Sequence, residues 1–164
     1  MPLVEAEDPS AIDGKVHSHR FVGANFAHAR NAGLVEQEKL TMELIKSAVT
    51  LEAAVAEKQF KEKHVTIEVT VSNTGAGHRF PSGTTDISEA WLEVLAGNPE
   101  SPQYSSGLLD KNHYLDPQAH SWRTVYVDNA NLAVDLHNLA AVRKTLLDTY
   151  VEPGKSDVAR FEIP

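Results

Sequence analysis

The spacing of hydrophobic and polar residues changes along the chain, and each change predicts a different element. Up to residue 33 the chain is rich in Pro, Gly, Asp, Asn and His and shows neither helical nor strand periodicity. This composition predicts an irregular N-terminal arm. From residue 34 to about residue 46 apolar side chains recur at helical spacing, which predicts one amphipathic helix of about three turns. These side chains are Leu34, Val35, Met42 and Ile45.

An alternating pattern follows the helix, and it predicts antiparallel strands with one buried face. Two runs have an apolar residue at every second position, and they flank the polar segment 57–63, which predicts a turn. The apolar residues are Val49, Leu51, Ala53 and Val55 in the first run and Val65, Ile67, Val69 and Val71 in the second. Further strands are predicted at residues 89–97, 121–127, 142–150 and 156–163. Pro153-Gly154 is a turn dipeptide between the last two.

This order of elements predicts a mainly β fold. The leading candidate is a two-layer antiparallel β-sandwich (Ig-like), preceded by the irregular arm and one α-helix, and a small barrel is the alternative. We expect the chain to divide into an extended arm at residues 1–33 and a helix plus β-sandwich domain at residues 34–164. Two long connections, 74–88 and 98–120, interrupt the strands. Long ordered loops on a rigid sandwich are where binding sites usually lie.

Composition and charge exclude several classes of function. The 164 residues are 41% hydrophobic and 23% charged, as in an ordinary globular domain. The formal net charge is −8, and no segment of the sequence contains a cluster of Lys and Arg residues. Nucleic acid is therefore not an expected partner. No apolar run approaches the ~20 residues of a membrane span, and residues 1–30 lack the pattern of a signal peptide. Because the chain opens without a structural pattern and stops inside a predicted strand, we expect a fragment of a larger protein.

The segment TGAGHRFPSG at residues 74–83 is the first candidate for a binding site. Its glycines permit unusual backbone angles, and Pro81 favours an extended Phe80. In an extended segment His78 and Phe80 point to one side and Arg79 to the other. The shared face could close the end of the sandwich, with Phe80 in the core and His78 bonded to the backbone. It could also present an imidazole and an aromatic ring to a flat ligand. The residues alone favour the first interpretation.

A pair of histidines in VHSHRF, residues 16–21, is the second candidate. His17 and His19 lie on the same side of an extended segment, where two imidazoles could bind one zinc or copper ion. A zinc site needs three or four ligands, however, and the sequence supplies no obvious companions. A surface pair without a role is therefore the alternative interpretation.

The segment DKNHYLD at residues 110–116 is the third candidate. Its side chains Asp110, Asn112 and Asp116 could surround a calcium ion with oxygen atoms. The segment lacks the glycine at the sixth position and the distal glutamate of an EF-hand loop. A loop stabilised by Asx turns is the alternative interpretation.

Catalytic motifs are missing from the sequence. There is no Gly-x-Ser-x-Gly elbow, no His-Glu-x-x-His pair, and no glycine-rich loop that leads into a helix. Scattered Asp and Glu residues offer no basis for choosing an acid and a base. We therefore expect that this chain alone is not an enzyme.

Four stretches in a fixed order resemble a known family. They are HSHRFVGAN at 17–25, VSNTGAGHRFPSGTTDISEAWLEV at 71–94, SGLLDKNHYLDPQAHSW at 106–122 and LLDTYVEPGKSDVARFEIP at 146–164. Together they make nearly the whole chain similar to the C-terminal, haem-free part of bacterial multihaem c-type cytochromes. The most specific elements are the Asn-x-Gly-x-Gly-His-x-Phe-Pro-x-Gly loop and the His-x-Phe-x-Gly-Ala-Asn segment. The chain departs from the cytochromes themselves because it has no cysteine, which covalent haem attachment requires.

The resemblance implies a non-catalytic module that takes part in electron transfer. Such a module packs on the haem-bearing part of the same protein, meets redox partner proteins, and lies in the periplasm or another extracytoplasmic compartment. The parent protein could be an oxidoreductase. Haem c belongs to the parent and is not covalently attached to this chain, and residues 1–33 link to the preceding haem-bearing region.

The resemblance also suggests roles for individual side chains. A distal axial ligand to haem iron would come from His17 or His19, with His78 as the second choice. Arg20 or Arg79 would pair with a haem propionate, and Phe80 would contact the cofactor.

Two other classes of function remain open from the residues. The alternative to the cytochrome module is a free-standing β-sandwich binding module for carbohydrate, protein or calcium. A metal-dependent enzyme that uses His17, His19 and His78 is the third hypothesis.

Overall fold

The strands and helices of the protein were located in a computed structural model that describes residues 3–18, 21–59, 64–134 and 137–164. The protein is mainly β, with 41% strand and 14% helix, as the alternating pattern predicts. The chain divides into two units, residues 1–47 and residues 48–164. The predicted helix is grouped with the residues that precede it.

The first unit contains short elements that the sequence analysis did not anticipate in the arm. Strands β1 (Leu3–Glu5) and β2 (Lys15–His17) pair antiparallel. The chain reverses at Asp13 and Gly14, whose φ angles of 52° and 71° match a type I′ turn. Ile12 and Lys15 flank this turn and exchange two backbone hydrogen bonds of 3.0 and 3.1 Å. An Asp-Gly dipeptide is a strong hairpin signal, so this element could have been found in the sequence.

Two helices complete the first unit. Helix α1 (Phe26–Asn31) begins after Asn25, whose side-chain oxygen accepts a hydrogen bond from the backbone N–H of His28. Helix α2 (Val35–Lys46) confirms the helix predicted from the apolar spacing. Its buried residue is Thr41, which is 1% exposed.

The second unit is built from antiparallel sheets. Its strands are β3 (Thr50–Gln59), β4 (His64–Ser72), β5 (Glu89–Trp91), β6 (Val94–Asn98), β7 (Ser101–Ser106), β8 (Ser121–Val127), β9 (Lys144–Asp148) and β10 (Ser156–Ile163). One sheet has the order β10-β4-β3 and another the order β5-β8-β9, while β6 and β7 form a hairpin. A short 3-10 helix, Leu139–Ala141, precedes β9. The predicted pairing of β3 with β4 and the strands at 121–127 and 156–163 are confirmed.

Two details of the strands differ from the sequence-based expectation. The segment 89–97 forms two short strands, because residues 92–93 are not in a strand and the chain then continues into the β6–β7 hairpin. The second strand of that hairpin, β7, lies within the predicted connection 98–120. Its sequence SPQYSS lacks the apolar alternation that identifies a half-buried strand, so pattern reasoning could not find it.

The hydrophobic core joins the two three-stranded sheets. Buried side chains come from β4 and β10 of one sheet, from β8 of the other, and from adjacent loops. They are Val71, Leu92, Trp122, Val151, Ala159 and Phe161. This arrangement is that of a β-sandwich, and the immunoglobulin-like topology stays a prediction.

The buried face predicted for β3 is not found at residues 50–56, whereas β4 contributes Val71 to the core. Leu51 and Val55 of β3 pair with Val71 and Ile67 of β4, yet Leu51 is 62% exposed and Val55 is 51% exposed. Strand β3 lies at the edge of its sheet, and the core lies against β4 and β10. The edge strand β3 therefore carries the same alternation as β4 without contributing a side chain to the buried core.

Candidate functional site

The loop at residues 73–83 is held to the sandwich through a buried asparagine. Asn73 follows β4 and is 2% exposed. Its side-chain amide donates hydrogen bonds to the backbone carbonyls of His78 (2.7 Å) and Val151 (2.9 Å), and its oxygen accepts one from the N–H of Ala76 (3.2 Å). Phe80 and Val151 also exchange two backbone hydrogen bonds. The sequence analysis missed Asn73 as a site residue, although it begins the motif that carries the family resemblance.

The imidazole of His78 is exposed and has a defined orientation. Its Nδ1 lies 2.9 Å from the backbone carbonyl oxygen of Arg79 and 2.9 Å from Oγ of Ser82. In the tautomer with the proton on Nδ1, this nitrogen donates to the Arg79 carbonyl and Nε2 of the neutral ring keeps its lone pair; in the other tautomer, Nδ1 accepts from the Ser82 hydroxyl. In the described part of the chain no hydrogen bond is formed by His78 Nε2. Metal-binding histidines typically donate a hydrogen bond from one ring nitrogen to a carbonyl or carboxylate and bind the metal through the other.

His78 and Phe80 combine features of both interpretations proposed for them. The ring of His78 is bonded to a backbone carbonyl, as the structural interpretation required, but it is exposed, as the ligand-binding interpretation required. Phe80 is partly buried. A histidine and an aromatic ring therefore occur within one well-anchored loop.

Arg79 lies against an aromatic ring beside a small polar cleft. The guanidinium carbon is 4.8 Å from the ring centroid of Tyr150, and Nη1 is 3.4 Å from a carboxylate oxygen of Asp148. The other oxygen of Asp148 accepts a hydrogen bond of 2.7 Å from the hydroxyl of Thr124. The Arg79 side chain is 46% exposed, and an exposed ion pair of this kind contributes only about 0–1 kcal/mol. Arg79 can therefore form a further ion pair with an anionic group.

The N-terminal candidates are only partly covered by the structure. His17 ends β2 in the first unit and is exposed. His19 and Arg20 lie outside the described residues. The proposed role of the His17 and His19 pair therefore stays a prediction.

The carboxylates proposed for calcium make hydrogen bonds to the backbone. One oxygen of Asp110 accepts hydrogen bonds from the N–H groups of Asn112 (2.8 Å) and Tyr114 (2.9 Å). Asp116 accepts one from the N–H of Gln118 (2.9 Å). These are the Asx turns of the alternative interpretation. Within the described residues no group of three or more His, Cys, Asp or Glu side chains could hold a metal ion.

A cluster that the sequence analysis missed lies between the two sheets. One carboxylate oxygen of Asp157 accepts hydrogen bonds from the indole N–H of Trp122 (2.8 Å) and from Nε2 of His120 (2.9 Å). Burial raises the pKa of Asp157, but the two hydrogen bonds, the charge of His120 and a bond from the N–H of Val158 together leave the pKa below its usual value. The cluster joins β10 to β8, so we assign it a structural role.

Comparison with known proteins gives no family for the chain. No family model, curated protein or solved structure matches it. None of the helices in the described ranges has the length and hydrophobicity that a membrane span needs.

Proposed function

We propose that the chain is a non-catalytic module of a multihaem c-type cytochrome that takes part in electron transfer. In this proposal it packs on the haem-bearing part of the same extracytoplasmic protein, and His78 offers Nε2 as a distal ligand to haem iron held there. The observation that carries the proposal is the orientation of His78. Its Nδ1 lies 2.9 Å from the Arg79 carbonyl oxygen, and in the tautomer protonated at Nδ1 its Nε2 keeps a lone pair without a hydrogen-bond partner among the described residues.

The residues around His78 support binding of a haem edge. The bond from the Asn73 amide to the His78 carbonyl holds the backbone from which the imidazole extends. Arg79 stacks on Tyr150 and keeps N–H donors for a carboxylate such as a propionate. The chain has no cysteine, so the haem itself must be attached elsewhere.

Each side chain has a separate task in this arrangement. A bound haem supplies reversible one-electron transfer. His78 provides the imidazole lone pair, and its Nδ1–H bond to the Arg79 carbonyl fixes the orientation of the ring. Ser82, whose hydroxyl also contacts Nδ1, limits rotation of the imidazole. His17 and His19 stay predicted as further ligands.

A haem peptide with one open coordination position tests the proposal. We suggest titrating the chain with a ferric haem c peptide that carries its own proximal histidine. Binding of an imidazole should convert the iron to the low-spin form, which shifts the main absorption band. We expect His78→Ala to weaken this binding by about tenfold or more. The matched control is His113→Asn, which removes an exposed histidine from a different loop and should change nothing.

Two results would contradict the proposal. If the His78→Ala protein and the unsubstituted chain bind the haem peptide with equal affinity, His78 is not an iron ligand. If the coding DNA upstream of Met1 contains no Cys-x-x-Cys-His motifs, the same protein has no preceding haem-bearing segment, and the proposal is contradicted.

A further inference from the structure

Strand β3 has one edge without a neighbouring strand in the described ranges. The sheet order is β10-β4-β3, and the strand that pairs with β3 among the described residues is β4. In an antiparallel edge strand every second residue directs its N–H and C=O away from its neighbour. A further strand added at this edge would therefore bond to backbone groups that β4 does not reach.

The side chains at this edge are apolar and exposed. All of residues 50–56 are exposed, and Glu52 is the charged residue among them. Leu51, Ala53 and Val55 lie on one face of the strand, because side chains alternate between the two faces. Their cross-strand partners include Val71 of β4, which lies in the core. The apolar inner face of β4 thus continues onto β3, where it is open to solvent.

The opposite edge of the same sheet differs in its charge. Strand β10 carries Asp157, Arg160 and Glu162 within eight residues, and Nη2 of Arg160 lies 2.6 Å from a carboxylate oxygen of Glu68. Charged side chains on an edge strand discourage pairing with another chain. In β3 the regular pairing with β4 runs from Thr50 to Val55 before a register shift, and this stretch has a single charge. The edge of β3 is therefore suited to pairing where that of β10 is not.

We propose that two copies of this chain associate through β3, which pairs antiparallel with its own equivalent around a two-fold axis at Ala53. In this register Leu51 of each copy lies opposite Val55 of the other, and the two Ala53 side chains meet at the axis. Glu52 lies opposite Ala54, so no like charges face each other directly. Cross-strand pairs of branched apolar side chains stabilise an antiparallel sheet.

Neighbouring registers fit less well. A two-fold axis at Glu52 would place two carboxylates directly opposite each other, which is destabilising. An axis at Ala54 would pair Val55 with Ala53 rather than with Leu51, so the large apolar side chains would no longer face each other. The sequence of β3 is thus self-complementary about Ala53, and this is why the occupant is a second copy rather than an unrelated strand.

The symmetry of this contact limits it to two copies. A two-fold interface uses the same edge of both partners, so the edge of β3 is consumed in each. The two three-stranded sheets then form one sheet with the order β10-β4-β3-β3-β4-β10. The register shift after Val55 bends the strand and ends the regular pairing. This association requires no haem and is independent of the proposed function.

Sedimentation equilibrium of the full chain over a range of concentrations tests the association. We expect the average mass to rise from that of one chain towards that of two. Hydrogen exchange provides a second readout, because alternate amides of residues 50–56 should become protected as the concentration increases. A mass of one chain throughout would overturn the inference, and so would growth beyond two chains. Protection of these amides at every concentration would also overturn it, because another part of the same chain would then cover the edge.

Two double variants test the register with the same exposed positions. Leu51→Lys with Val55→Lys places two lysines opposite each other at both ends of the contact. Leu51→Lys with Val55→Glu places a lysine opposite a glutamate instead. We expect the dimer of the first variant to be at least about tenfold weaker than that of the second. Circular dichroism and thermal unfolding should show that both variants are folded, since the replaced side chains are exposed.

Leu146→Lys is the matched control. Leu146 lies on β9 of the other sheet and is 64% exposed, close to the 62% of Leu51. We expect this variant to associate like the unsubstituted chain. Equal affinities of the two double variants would overturn the proposed register and with it the inference. Loss of association in Leu146→Lys would overturn it as well, because the contact would then involve β9.

Discussion

Removing the charge of Asp157 should weaken the contact between the two sheets. Its carboxylate accepts hydrogen bonds from the indole of Trp122, which is 3% exposed, and from His120. Hydrogen bonds to a charged group contribute about 1.5–3 kcal/mol, and neutral ones about 0.5–1.5 kcal/mol. The Asp157 side chain is 42% exposed, so solvent screening reduces the difference. We expect Asp157→Asn to lower the free energy of unfolding by about 1 kcal/mol at neutral pH.

The contribution of Asp157 to stability should depend on pH in a defined direction. The folded-state pKa of Asp157 lies below the ordinary value of 3.8, so the ionised carboxylate is favoured in the folded protein. Its contribution to stability is present above the unfolded-state pKa and is lost as the pH falls through the folded-state pKa. The Asp157→Asn protein should therefore lack this part of the acid destabilisation, and the two unfolding free energies should converge below about pH 4.

Urea unfolding followed by tryptophan fluorescence measures both effects. A Trp91→Phe background leaves Trp122 as the reporter, because these are the two tryptophans in the chain. Asp8→Asn is the control, since Asp8 also has a lowered pKa but lies on the surface and contacts Ser10. The reasoning would be refuted if Asp157→Asn matched the unsubstituted protein at pH 7 and showed the same decline in acid.

Two further substitutions test the packing around the site. Gly107→Ala should destabilise the protein by about 2 kcal/mol or more, because a Cβ atom would collide with the carbonyl oxygen of Leu92 and the φ angle is 78°. A thermal unfolding midpoint equal to that of the unsubstituted chain would contradict this prediction. Asn73→Ala should cost about 2–4 kcal/mol from three lost hydrogen bonds, and it should also weaken haem peptide binding through His78. Urea unfolding and the same titration measure the two effects, and full stability in this variant would show that Val151 and Phe80 hold the loop without Asn73.

The candidate site could be predicted from the sequence only in part. The glycines and the proline of residues 74–83 predicted a loop, and the structure has His78, Arg79 and Phe80 in a segment between β4 and β5. The partner of Arg79, Tyr150, comes from the end of another strand and had no local signal. The same is true of Trp122 and Asp157, which are 35 residues apart. Spacing rules describe neighbours along one element, so they are silent about such pairs.

The sequence by itself determined helix α2 and the strands with clear alternation, because side-chain periodicity follows directly from local backbone geometry. It also excluded covalent haem attachment, since the chain contains no cysteine. Only the tertiary structure decided that residues 50–56 of β3 are exposed at the edge of the sheet while β4 is mostly half-buried with Val71 in the core, although both carry the same pattern. It likewise decided which hydrogen bonds the imidazoles form. Burial and hydrogen bonding depend on which distant segments pack together, and no local pattern specifies that.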